Sequence, residues 1–104
     1  MKTYQGDRTI DGIVVTVDGA PLNQRLDLGV GSDDGFEWGF EGPASAQLAA
    51  ALLADHTGDD AKALRLYDAF TREIVANFAN EWVMTSNDIE DAVTALDAAT
   101  PFEG

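Results

Sequence analysis

No cysteine occurs in the 104 residues. Disulfides, thiolate metal sites and cysteine nucleophiles are excluded together, and with them zinc fingers and iron–sulfur clusters. Cations are scarce as well: Lys2, Lys62, Arg8, Arg25, Arg65 and Arg72 stand against nineteen carboxylates, a formal charge of −13. That imbalance repels a polyanion along its whole backbone and argues against direct DNA or RNA binding. Long apolar runs are also missing. The longest nearly apolar stretch, Ala46 to Ala54, is interrupted by Gln47 and falls far short of the roughly 20 residues that cross a bilayer. Met1 to Ile10 is polar and lacks an apolar h-region, so no secretory signal is expected. These absences predict a cytoplasmic protein without a membrane role.

What is present is a particular kind of acidity. Thirteen of the nineteen acids are Asp, and they are spread from Asp7 to Glu103 with no run longer than two. Dispersed charge reads as a solvated surface rather than a binding patch. Short carboxylates in place of long lysine stems keep that surface hydrated and reduce its apolar area. Self-repulsion at this charge is relieved when salt screens it, so the composition fits salt-loaded cytoplasm, as in a halophilic archaeon or its mobile element. The rival account is mimicry, in which carboxylates at phosphate-like spacing occupy a basic nucleic-acid groove. Dispersal favours the first.

Length fits one domain, 1–104, with strands over about 2–40 and helices over about 43–98. Lys2 to Gly6 reads as a short strand and the β-branched run Gly12 to Val17 as a strong one. Asp18-Gly19 is a hairpin signal, and Pro21 makes the next segment an edge or an irregular return. Leu22, Leu26 and Leu28 outline a weak further strand, and Gly29 to Gly35 a loop. In Phe36–Phe40 three aromatics alternate with Glu37 and Gly39, the period of a strand with one buried face. Pro43 then opens a helix to about His56 with a stripe of Ala46, Leu48, Ala49, Leu52 and Leu53, closed by Gly58. Asp59 caps a second helix to about Phe78, its stripe being Leu64, Tyr67, Phe70, Ile74, Val75 and Phe78. Trp82 to Met84 is a brief extended piece. Thr85 with Asp88 forms a capping-box variant before a third helix lined by Ile89, Val93 and Leu96. Strands first and helices afterwards predict an α+β fold, a small antiparallel sheet packed against about three helices.

Together the segments TYQGDR, VTVDGAPL, FEWGFEGP-x-x-A-Q-L-A, ALLADHTGDD and L-Y-x-A-F resemble a small domain-of-unknown-function family found in bacteria, archaea and mobile elements or viruses. The likeness runs from Thr3 to about Ile89. It implies a standalone domain of about a hundred residues and brings no activity, so no catalytic residue follows from it.

Candidate chemistry is thin. His56 is the one histidine, at a predicted helix C-terminus where a basic side chain serves as a cap. A Ser–His–acid arrangement would need Ser32, Ser45 or Ser86 beside it, and no G-x-S-x-G elbow occurs. The loop Asp27 to Glu37, with Asp33 and Asp34, lacks the spacing of a calcium loop. Its glycines, Gly29, Gly31 and Gly35, lack the lysine of a phosphate loop. No catalytic, cofactor or metal site is therefore assigned, and no cofactor is expected. A partner surface is the remaining candidate, at Glu37, Trp38 and Gln47, with Trp82 a weaker member, because aromatics anchor contacts; the aromatic alternation itself favours packing, as a core strand, a tight turn and a helix start. The leading expectation is a non-enzymatic protein-binding or regulatory domain. An acidic inhibitor or nucleic-acid mimic acting on a basic protein comes second, and a small enzyme third.

Overall fold

A computed structural model describes residues 1–31 and 35–99. The order is β1 (Thr3–Thr9), β2 (Gly12–Val17), β3 (Ala20–Pro21), α1 (Pro43–Thr57), α2 (Asp60–Glu73), β4 (Glu81–Thr85) and α3 (Ser86–Ala99), with single 3₁₀ turns at Leu26–Leu28 and Val75–Asn77. The four strands make one antiparallel sheet in the order β3-β2-β1-β4. The expected α+β architecture is therefore present, with one change of source. Three strands come from the N-terminal half, and the fourth lies between α2 and α3.

β1 is longer than the expected Lys2 to Gly6 because it pairs on both sides, with β2 from Tyr4↔Val17 to Thr9↔Gly12 and with β4 from Thr3↔Thr85 to Asp7↔Glu81. Asp18 and Gly19 both take positive φ, 50° and 85°, as a type I′ turn requires, and carry β2 into β3. Period two then sorts the strands. Tyr4, Val15, Trp82 and Met84 enter the core, while Gln5, Asp7, Val14, Glu81 and Val83 stand on the exposed face.

Helix α1 is the centre of the molecule. Gln47 to Ala54 is buried without a break, so the helix has no wet side and its alanines let neighbours approach closely. Pro43 opens it and Gly58, at φ 66°, closes it. In α2 the buried residues are Ala63, Leu66, Phe70 and Thr71, a stripe rotated from the expected one, with Leu64 43% exposed. Small Ala63 faces inward, toward the central helix layer. Asp59 Oδ1 caps α2 through Lys62 N–H, and Thr85 and Asp88 cap α3 reciprocally, Asp88 N–H to Thr85 Oγ1 and Thr85 N–H to Asp88 Oδ2. The Asp68–Arg72 pair forms on α2.

Two sequence expectations give way to tertiary bonds. Residues 36–40 form no strand. Glu37 N–H bonds Ala44 O, Gly39 N–H bonds Val75 O, and Gly39 at φ 86° turns the chain so that Trp38 is buried while Phe40 is 51% exposed. A Cβ at Gly39 would lie 3.3 Å from Phe78 O, the close backbone approach that the glycine permits. α2 ends at Glu73 rather than Phe78: Asn77 Nδ2 donates to the Glu73 carbonyl and the chain passes into the Val75–Asn77 3₁₀ turn. Leu22 to Leu28 is likewise not a strand: Leu22 is buried, Arg25 has φ 50°, and the 3₁₀ turn follows.

Candidate functional site

The residues singled out in the sequence do not form a surface. Trp38 and Gln47 are fully buried and Trp82 is 7% exposed, which leaves Glu37 as the one with substantial access. Trp38 and Trp82 do meet, edge to face, with centroids 5.8 Å apart, and Phe78 stacks on Trp82 at 4.4 Å. Trp82 lies flat over its cross-strand partner Gly6, where any Cβ would fall 2.2 Å from Trp82 Nε1.

Arg8, which the sequence did not single out, organises this end of the sheet. Its guanidinium donates to Asn80 Oδ1 at 2.5 Å, Glu37 Oε1 at 2.6 Å and Trp38 O at 3.0 Å, and it sits 5.0 Å from the Trp38 ring centroid. A planar fork with several fixed donors is what that geometry needs. The cluster clamps the Phe36–Phe40 segment to the sheet.

Gln47 acts separately. Its Nε2 donates to Gln24 O at 2.6 Å and Arg25 O at 2.8 Å, pinning the loop after β3 to the central helix. Arg25 then grips Asp27 with two nitrogens and Asp60 with one, which holds the Asp27 carboxyl below the usual aspartate range.

The titratable groups with catalytic potential are bound into the fold in the same way. His56 Nε2 lies 2.7 Å from Glu90 Oε1, a tie between α1 and α3 rather than only a helix cap, and the contact lowers the Glu90 pKa. Ser45 is buried in the core and Ser86 Oγ accepts from Lys2 N–H, and among the described residues neither hydrogen-bonds His56; Ser32, Asp33 and Asp34 lie outside the described residues. The buried Tyr4 hydroxyl donates to Asp55 Oδ2 at 2.6 Å, and burial followed by that bond pushes its pKa well above the ordinary value. A phenol so held stays protonated and cannot serve as a base. Among the described residues no cluster of three metal-ligating side chains occurs.

All six cations are spoken for within the chain: Lys2 by Asp55, Arg8 by Glu37, Arg25 by Asp27 and Asp60, Lys62 and Arg65 by Asp97, and Arg72 by Asp68. The charge left to meet a partner is negative, and it is distributed over sheet, loops and helices. A cleft of about 580 Å³ beside β2 is lined by Ile13, Val15, Leu22 and Phe36, with Gln24 and Glu37 as its polar side chains. No helix is long and apolar enough to cross a membrane among the described residues.

The fold described here coincides with a recognised sequence unit. A family model matches residues 4–95, from the first turn of pairing in β1 to the last turns of α3. The chain belongs to DUF6166, a family of unknown function. No curated protein and no solved structure matches it significantly. Membership therefore covers every strand and helix of the fold and carries no activity with it.

Proposed function

We propose that this DUF6166 chain is a non-enzymatic protein-binding domain, of the regulatory kind, working in a salt-rich cytoplasm. The observation that carries the reading is how the polar groups are used. His56, Arg8, Tyr4 and Gln47 each tie one element of the fold to another, while among the described residues the outer face of the sheet is left without a covering layer. An antiparallel sheet tolerates water on one face, and such a face is also where a partner docks. Dispersal of the carboxylates over β1, β4, the loops and all three helices supports solvent adaptation over imitation of a polynucleotide, whose phosphates would require them on one side.

Two measurements test this. Thermal unfolding followed from low to molar KCl should show Tm rising as self-repulsion is screened; an unchanged Tm removes the salt component. Crosslinking of the tagged chain in high-salt lysate should recover the same protein repeatedly, and the purified partner should rebind. Repeated recovery of none, or competition with DNA for a nucleic-acid-binding protein, would shift the reading to the small enzyme or to the acidic mimic respectively.

A further inference from the structure

The two edges of the sheet are finished differently. Arg8 N–H bonds Asn80 O and Ser86 N–H bonds Lys2 O, which fixes the even-numbered residues of β4 as those bonded to β1. In an antiparallel ladder the alternate residues then aim both backbone groups the other way. Glu81, Val83 and Thr85 therefore face outward. Asp88 Oδ2 takes the Thr85 N–H at 3.0 Å, whereas the backbone groups of Glu81 and Val83 meet no partner among the described residues. At the opposite edge, Leu22 N–H bonds Val15 O and Ala20 pairs with Val17, so the outward position falls on Pro21, which has no N–H to offer. One edge is closed by proline. The other keeps two residues of free ladder with no proline or bulge between Glu81 and Thr85, its one charged side chain being the acid Glu81.

The side chains around the open edge say what fits. Val83 is 59% exposed at its middle, Glu81 pairs in register with exposed Asp7 on the outer face, and the Asp88 carboxylate marks the far end. With a net charge of −13 and every cation already paired, a second copy of the chain is the wrong occupant and a cationic one is the right one.

We propose that β4 is a docking edge for a short extended segment of a basic protein, which adds to the sheet as a fifth strand. The inference rests on the protein-binding reading and names its surface. The incoming backbone bonds Glu81 and Val83, an apolar side chain lies beside Val83 on the outer face, and a Lys or Arg lies beside the Glu81–Asp7 row. Backbone bonds supply affinity in this mode and the alternate side chains supply selectivity.

The probe is a fluorescein-labelled peptide, GKTVTKG, which presents lysine, valine and lysine on one face of a strand; its control carries an N-methyl group on the valine. Binding to the full chain, weakened at least tenfold by that methyl group and several-fold by E81K, is expected. Saturating peptide should also slow amide hydrogen exchange at Val83 at least tenfold. V83P removes the outward N–H without removing a ladder bond and should abolish binding; if that variant does not fold, exchange at Val83 in the natural chain decides. Equal binding of the methylated peptide, or unchanged exchange at Val83, overturns the proposal. Protection of Val83 that grows with protein concentration and no peptide overturns it in favour of self-pairing. A lysate partner held equally by V83P and the natural chain leaves the protein-binding reading standing and sinks the edge.

Discussion

Replacing Gly6 with alanine tests whether the tryptophan pair, rather than the hydrophobic pattern alone, fixes the end of the sheet. In a strand this substitution should by itself help, by about 0.5–1 kcal/mol, because glycine loses more backbone freedom on folding. Here the added Cβ would stand 2.2 Å from Trp82 Nε1 and 2.4 Å from Cε2, more than 1 Å inside contact distance. The indole has nowhere to go: Phe78 stacks on it at 4.4 Å and Trp38 meets it edge-on at 5.8 Å. Overpacking of a walled core site costs about 1–3 kcal/mol. With the upper part of that range set against the backbone gain, G6A should destabilise by about 2 kcal/mol, a fall in Tm of about 10 °C for a domain this size. The cause is separable by a second background. In W82L the obstacle is gone, so adding G6A there should be neutral or slightly stabilising, a coupling of about 2 kcal/mol between the sites. Urea unfolding of the four proteins in molar KCl, followed by far-UV circular dichroism, measures it. Equal costs of G6A in both backgrounds would refute the steric account.

Other expectations follow from the ties described. R8K keeps the charge and loses the fork, leaving Trp38 O without its donor, so it should cost about 1–2 kcal/mol and shift tryptophan emission to the red; unchanged stability would mean the clamp is incidental. Y4F should cost about 1–2 kcal/mol at neutral pH through the lost bond to Asp55. The folded-state pKa of Tyr4 lies above the unfolded value near 10. Its contribution is therefore complete below that pH and is lost as pH rises past it, so the gap between the natural chain and Y4F should narrow from pH 9 to 11. A constant gap would refute this. Q47L leaves Gln24 O and Arg25 O unmet and should cost about 2 kcal/mol, with faster amide exchange at Leu28; a neutral result would show the loop is held otherwise.

Much of the fold was legible because the signals were local. Asp18-Gly19, Pro43, Gly58, Asp59 and the Thr85–Asp88 box all act within a few residues of themselves, and each stands where the chain pattern put it. The stripe Ile89, Val93 and Leu96 is buried as its spacing requires. Glu37, Trp38, Gln47 and Trp82 stand out in the sequence as aromatics and polar groups able to anchor a contact, but Trp38, Gln47 and Trp82 are buried in the packing. Arg8 could not be recognised, since a lone arginine in a polar strand carries no sign that Glu37, Trp38 and Asn80 will converge on it across up to 72 residues.

Composition by itself determined the net charge and the exclusion of cysteine chemistry, because these depend on counts and not on placement, and residue order along the chain determined the lack of a bilayer-spanning run. Local pattern determined most turns, caps and helix starts. Tertiary structure alone decided that an alternating aromatic segment would be a buried turn and that residues 81–85 would supply the edge strand. A strand exists only where a neighbouring backbone accepts its hydrogen bonds, and β1 offered its free side to β4 while Ala44 and Val75 took the amides of Glu37 and Gly39.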